Sequence, residues 1–290
     1  MRAIQIMSKD VFNLAAITFI SAGLTQANAE EPCPPEGDID ECKVLIEINA
    51  SDGDMGFHFL GDADDLISMR IDDPNGAKVF ENHAFGPLGE QKLTENFGES
   101  AEPLCWPDPE ADPEDVEDMV TLREFRETWE PGTYEFTGKG EGGEKLSGET
   151  TLTYDLPAAP QDVDFIGATI SWIAGNDLGN CAPLTGGIGQ ETIPEVLDII
   201  TDPWLVPVAA FEVVMEPDVE DGDAIGDEVF TVRVSGSTFA VDVPALYLLS
   251  LPSDTPVKIE VGAIGNGDNA TFTEEDGFCV NETSTGCPGD

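Results

Sequence analysis

Alternation of apolar and polar residues between positions 131 and 172 constrains the fold of this chain more than any other feature. Residues 133–137 and 146–154 alternate in this way on either side of a glycine-rich loop, a pattern that predicts a β-hairpin. The proline-bearing connector at 156–160 favours extended backbone, and a new alternating stretch follows it and ends at Trp172. We therefore predict that one β-domain ends at this connector and that a second begins there.

The first 29 residues have the pattern of an export signal. Arg2 and Lys9 supply positive charge, residues 11–24 are mostly apolar, and the small residues at 27–29 match a signal-peptidase site. The apolar run is too short for a membrane span, and no later run reaches about 20 apolar residues. We expect cleavage near Ala29 and a secreted or periplasmic mature protein.

The charge of the chain excludes several classes of partner. It carries 59 acidic residues against 12 lysines and arginines, a formal net charge of −47. Such a surface repels nucleic acid and anionic membranes, so we predict neither as a partner. Self-repulsion of this size disfavours a compact state unless cations screen it, as a salty or Ca²⁺-containing medium would. The apolar content of 40% is that of a globular protein rather than of a disordered acidic tail.

All six cysteines follow the export signal, and an even number in an exported protein favours disulfides. They are Cys33, Cys42, Cys105, Cys181, Cys279 and Cys287. Fifteen complete pairings are possible for six cysteines. The local pairs are Cys33–Cys42 and Cys279–Cys287, and they leave Cys105–Cys181 to tie the first half to the second.

Four ranges describe the predicted organisation. Residues 1–29 are the export signal, 30–42 an acidic N-terminal arm, 43–156 a first β-sandwich domain and 157–290 a second. The first domain contains a short helix, because Thr121 and Glu124 have the spacing of a capping box and Leu122, Phe125 and Trp129 would share one helix face. The second contains a long insert, rich in glycine and proline, at 174–206.

Several motifs of this sequence carry a resemblance to known proteins. Those of the whole chain lie at 49–57, 73–76, 131–136 and 156–160, and those of the second half at 170–172, 211–214, 239–244 and 257–265. The whole chain resembles a group of uncharacterised exported bacterial proteins, and its second half resembles a fibronectin type III-like domain. The resemblance implies an all-β chain of two consecutive immunoglobulin- or fibronectin type III-like sandwiches, and it implies no activity. Val257 stands where that family commonly has a tyrosine, and the long insert is also atypical.

Acidic loops are the candidate metal sites, because Ca²⁺ binds several hard oxygen ligands at 2.3–2.6 Å. The candidate ligands are Asp52, Asp54, Asp62, Asp64, Asp65, Asp221 and Asp223. A turn is predicted at 51–56 and another at 61–65, and since one short strand separates them their carboxylates can lie near each other. The spacing is not that of an EF-hand. The alternative for each cluster is a solvated acidic loop with no bound ion.

Catalytic signatures are missing from the sequence, which contains no G-x-S-x-G, HExxH or P-loop pattern. His58 lies in an aromatic strand and is interpreted as a packed or edge residue, and His83 as an exposed loop residue. Among the tryptophans, Trp106 and Trp204 lie beside prolines in loops and are the candidates for stacking against sugars.

These observations predict a non-enzymatic exported module that presents acidic loops to an extracellular or envelope protein, a glycan or Ca²⁺. The alternative is an extracellular hydrolase of glycosidase type, which would use two carboxylates about 5–10 Å apart. A third possibility is a passive subunit of an envelope assembly, which would expose unpaired edge strands.

Overall fold

The computed structural model describes Cys33 and residues 39–106, 119–187, 190–219, 223, 225–226, 228–283 and 287. The export signal predicted at 1–29, most of the N-terminal arm and the candidate ligand Asp221 lie outside these residues. Within the described part of the chain, no helix is long and apolar enough to cross a membrane.

Strands dominate the described residues. The strands are β1 (Glu41–Asn49), β2 (Asp54–Asp72), β3 (Lys78–His83), β4 (Leu93–Glu99), β5 (Gly132–Gly140), β6 (Lys145–Leu152), β7 (Gln161–Ile166), β8 (Thr169–Ile173), β9 (Val208–Pro217), β10 (Phe230–Ser235), β11 (Ala240–Asp242), β12 (Thr255–Gly265) and β13 (Ala270–Val280). The helices are α1 (Gly86–Gln91), α2 (Leu122–Thr128), α3 (Ile193–Val196), α4 (Ala245–Ser250) and a 3₁₀ turn at Pro203–Leu205. The prediction of a mostly β chain is confirmed.

One large sheet takes strands from both predicted domains. Its order is β10-β9-β12-β13-β1-β2-β5-β6, and β3 and β4 also pair with β2, which makes ten strands. β1 and β13 pair in parallel and join the two halves of the chain. A second sheet has the order β11-β8-β7. Two separate, consecutive sandwiches would each have their own sheets, whereas this sheet contains strands from both sides of residue 156. The division into two sandwiches therefore stays a prediction.

The alternating pattern of β1 explains how this sheet is stabilised. Val44, Ile46 and Ile48 are buried, whereas the residues between them are partly exposed. Since successive side chains on a strand point to opposite faces, one face of the sheet is apolar and packs into the core. Each fully buried Val or Ile contributes roughly 1.5–3 kcal/mol relative to an exposed one.

Buried apolar residues form two main clusters. The first draws on residues between Cys33 and Leu156 together with residues between Leu178 and Ile200, which belong to the insert of the second predicted domain. The second draws on β7, β8 and the strands from β9 to β13. Trp172 is 3% exposed and packs edge-on against Phe211 in this second cluster. The long insert therefore covers the core of the first half.

Three disulfides link the described cysteines: Cys33–Cys42, Cys105–Cys181 and Cys279–Cys287. They are the pairs that spacing suggested. Cys105–Cys181 joins the segment after β4 to the insert, and both residues are buried.

The turn predicted at 61–65 is wrong, because β2 continues through these residues. The pairing of β2 with β4 shifts register between Asp62 and Leu66, and Asp65 has a φ of 58°. An extra residue of this kind bends a strand without reversing it. The aspartates and the glycine of this segment therefore form a bulge within a long strand.

The short helix predicted in the first half is α2. Thr121 and Glu124 form the expected capping box, and Leu122 and Phe125 are buried on one side of the helix. The ring of Trp129, at the C-terminal end of α2, stacks on Phe57 with centroids 4.0 Å apart. Helix α4 was not predicted, and its Leu246 and Leu249 are exposed.

Candidate functional site

The polar side of the large sheet collects carboxylates from six strands. Residues directly opposite one another on paired strands point to the same side. Glu47 lies opposite Gly56 and Ala270, His58 opposite Glu99, and Glu260 opposite Glu274. We call this side the carboxylate face and define it by Glu47, Asp54, His58, Glu99, Glu102, Glu212, Glu216, Lys258, Glu260 and Glu274.

Glu47, His58 and Glu102 form the tightest group on the carboxylate face. One side-chain atom of each, a carboxylate oxygen or an imidazole nitrogen, lies within 4.8 Å of the other two. His58 Nε2 is 3.7 Å from Glu102 Oε1 and makes no hydrogen bond. The His58 side chain is buried, and Glu47 and Glu102 are partly buried. Two oxygens and one nitrogen thus converge in a poorly hydrated place.

Backbone pairing fixes this group. Residues 100–105 run beside the start of β2, where Ser100 N donates to Phe57 O at 2.8 Å and Cys105 N donates to Gly53 O at 2.7 Å. Glu102 lies between these two bonds, so its backbone is held at both ends. Glu47 and His58 are held by neighbouring strands, which leaves only their side-chain rotations free.

Burial and like charge keep carboxyl groups here easier to protonate than usual. Burial raises the pKa of Glu47 to about 7, although the nearby imidazole of His58 by itself lowers it. Burial also raises the pKa of Asp54 to about 7, and the charges of Glu102, Asp52 and Glu47 add to the effect. Glu47 and Asp54 therefore carry less negative charge near neutral pH than solvent-exposed carboxyl groups would.

Opposing effects act on His58. Burial alone disfavours its charged form, but the carboxylates of Glu102, Glu47 and Glu99 favour it, and together they raise its pKa above the ordinary value. The sequence interpretation of His58 as a packed residue is correct for its exposure, 4%. That interpretation missed the two carboxylates that its ring nitrogen faces.

A second group on the same face is built around Lys258. Its Nζ lies 2.8 Å from Glu274 Oε2, 3.2 Å from Glu216 Oε1 and 3.7 Å from Glu260 Oε1. Burial, followed by the hydrogen bond to Glu274, raises the pKa of Glu260. Lys258 therefore holds three partly buried carboxylates together, and the group as a whole keeps excess negative charge.

The predicted Ca²⁺ ligands lie in two places along β2. Asp52 and Asp54 are near its start, and the charge of Asp52 raises the pKa of Asp54. Asp62 lies eight positions further along the strand, about 26 Å away at ~3.3 Å per residue. The expectation that these two sets lie side by side is therefore wrong, because they occupy opposite ends of the β1–β2 pairing.

Of the remaining predicted ligands, two lie beside Asp62 and one lies in a different loop. Asp64 and Asp65 are exposed on the bulge of β2, close to Asp62, whose pKa is raised by burial and by neighbouring carboxylates that include Asp40. Asp223 is exposed in the loop between β9 and β10.

The tryptophans and the second histidine that the sequence analysis considered differ in their exposure. Trp204 is 61% exposed in the 3₁₀ turn at Pro203–Leu205, and its stacking against a sugar stays a prediction. Trp106 is partly buried against Gly53, with its Nε1 buried and without a hydrogen bond. His83 is exposed at the end of β3 and lies beside the ring of Phe85.

Most residues of the carboxylate face were not recognised from the sequence. Their signal is present in each strand, since Glu47 occupies the polar phase of β1 and Glu260 that of β12. Which polar phases share a side depends on strand order. The sequence analysis did not predict that β1 pairs with β13, so it could not predict that these carboxylates lie on one side of the sheet.

Comparisons with known proteins show no family for this chain and only weak similarity to solved structures. No protein-family model matches the chain, and no curated protein matches it. Similar solved structures include a "Biofilm associated protein - BSP domain", with 10% identity and a TM-score of 0.22, over 85% of this chain and 30% of the other.

Another is the structure titled "Structural insight into host cell surface retention of a 1.5-MDa bacterial ice-binding adhesin". It has 12% identity and a TM-score of 0.24, over 90% of this chain and 67% of the other. At such low TM-scores neither similarity carries an argument about fold or function.

Proposed function

We propose that this chain is an exported, non-enzymatic binding or structural module that engages its partner through the carboxylate face and the neighbouring acidic loops. The observation that carries the proposal is the convergence of carboxylates from six strands on one side of the large sheet. Such a surface attracts divalent cations and positively charged groups. The partner is accordingly an extracellular or envelope protein with exposed basic residues, or a glycan bridged through Ca²⁺.

The architecture proposed for this module has two parts. Two apolar clusters support two sandwich-like parts, the first with the insert residues 178–200 packed on its core and the second related to fibronectin type III. Three disulfides support an oxidising compartment, and hence secretion or the periplasm after removal of residues 1–29.

Calcium is proposed as a stabilising ion at the acidic loops of β2. Metal-free protein melted in CaCl₂ at about ten times the dissociation constant should gain about 1.4 kcal/mol over NaCl of equal ionic strength. This corresponds to a rise in melting temperature of about 3–6 °C for a chain of this size. Asp62→Asn combined with Asp64→Asn tests the bulge in the middle of β2, and Asp52→Asn tests the turn just before β2 begins. Equal midpoints in the two salts would remove Ca²⁺ from the proposal.

An extracellular hydrolase is the second candidate, and one observation favours it. Glu47 and Asp54 are neighbouring carboxyl groups whose pKa values burial raises to about 7, and perturbed acids of this kind occur at catalytic sites. A hydrolase would release reducing sugar from envelope polysaccharide, and Glu47→Gln would abolish that release while leaving the fold intact. If wild type and Glu47→Gln give the same background signal, the binding module is retained.

A further inference from the structure

We propose that Glu47, His58 and Glu102 form a binding site for a divalent transition-metal ion of the Zn²⁺ class. This inference goes beyond the acidic-surface function and does not depend on it, since it concerns one buried position rather than the whole face. It rests on the geometry of three side chains, on the position of the imidazole and on the space beside Gly56.

Distances within the group are close to those that a metal requires. In a tetrahedral zinc site with ligands at about 2.0–2.1 Å, neighbouring ligand atoms lie roughly 3.3 Å apart. His58 Nε2 and Glu102 Oε1 are 3.7 Å apart, and one Glu47 oxygen completes a set within 4.8 Å. Small side-chain rotations bring all three onto one ion, and a fourth position is left for water or a partner's side chain.

The imidazole gives the group its selectivity. His58 is 4% exposed, and its Nε2 is buried, makes no hydrogen bond and lies near the oxygens of two carboxylates. A buried polar nitrogen without a partner is costly, and a bound cation would remove both this cost and the repulsion between the two carboxylates. Ca²⁺ takes oxygen ligands, whereas imidazole together with carboxylate suits Zn²⁺ and its neighbours.

Gly56 keeps the position open. A Cβ atom at residue 56 would lie 2.8 Å from His58 Nε2 and 3.0 Å from Glu102 Oε1, so any larger residue would enter the space where the three groups meet. The backbone of Gly56 lies in the regular β1–β2 pairing, which every residue type can adopt. A glycine at position 56 is therefore needed to leave room beside the three ligands, and not to allow an unusual backbone conformation.

A protonated His58 that pairs with Glu102 is the competing arrangement, and it requires no ion. The two are separated by titrating ZnCl₂ into metal-free protein by calorimetry, with Co²⁺ as a spectroscopic probe of coordination geometry. Wild type should show one tight site, with a dissociation constant of about 1 μM or below, above the weak binding of surface carboxylates. His58→Gln should weaken that site at least about tenfold.

Matched variants complete the test. His83→Gln removes the other, exposed histidine and should bind Zn²⁺ like wild type, because His83 lies outside the group. Glu102→Gln, placed outside the regular strands, should weaken binding as His58→Gln does, and it stands in if His58→Gln does not fold. Gly56→Ala should weaken binding with all three ligands present. The proposal is overturned if wild type shows only weak, nonspecific binding, or if Glu102→Gln and His58→Gln bind as wild type does.

The two proposals fail in different ways. Ca²⁺ in excess should leave the visible absorption of bound Co²⁺ unchanged if the buried site is selective for the Zn²⁺ class. Loss of the zinc site in His58→Gln should leave the Ca²⁺-dependent rise in melting temperature intact, because the predicted Ca²⁺ loops do not contain His58.

Discussion

Replacement of both Cys105 and Cys181 by alanine should lower the free energy of unfolding by about 4–5 kcal/mol. The two residues are 76 positions apart, and a cross-link across so long a loop removes much of the conformational freedom of the unfolded chain. Both are buried, and they tie the segment that carries Glu102 to the insert that covers the first core. Urea unfolding followed by circular dichroism measures the difference.

The pair Cys279–Cys287 provides the matched control, because its separation is only 8 residues. Its replacement by alanine should cost about 2.5 kcal/mol by the same loop relation. Equal losses for the two double variants would contradict an effect that grows with loop length. A tighter zinc site in the Cys105 and Cys181 variant would also be unexpected, since Glu102 would then be less firmly held.

Lys258→Met should destabilise the protein by about 3–5 kcal/mol at neutral pH, because it leaves three carboxylates without the charge they surround. The Lys258 side chain is 13% exposed, and its closest contacts are Glu274 at 2.8 Å and Glu216 at 3.2 Å. Lys78→Met is the control, since Lys78 and Glu81 form an exposed ion pair whose loss should change the stability far less.

The loss of stability caused by Lys258→Met should increase with pH. Burial raises the pKa of Glu260 in the folded protein. The stabilisation from the protonated Glu260 is therefore fully present below 4.5, the pKa of the unfolded chain, and is lost as the pH rises through the pKa of the folded protein. The charge of Lys258 lowers the pKa of Glu260, so without Lys258 the Glu260 carboxyl group becomes still easier to protonate. The difference between variant and wild type should therefore grow from pH 5 to pH 8, and a difference that shrinks over this range would contradict the assignment.

Local patterns predicted the local structure well. The hairpin inferred between 133 and 154 is formed by β5 and β6, and the capping box at Thr121 starts α2. Trp172 is buried as expected. These features depend on residues only a few positions apart, where alternation and capping chemistry act directly.

Pairing between distant residues was not accessible to the same reasoning. Ile46 N donates to Asn269 Oδ1 at 2.9 Å across 223 positions, and no pattern within either segment indicates that contact. Glu47, His58 and Glu102 come together only because β1, β2 and the segment after β4 are neighbours. The sequence therefore predicted the presence of acidic clusters but not which carboxylates meet.

Because β1 pairs with β13, a chain that is made from its N-terminus cannot complete the hydrogen bonds of β1 until β13 has also been made. Until then, one edge of β1 is open to pairing with other chains. Closure of the sheet by β13 then acts as a completeness check, since a truncated product lacks the strand that joins its two halves.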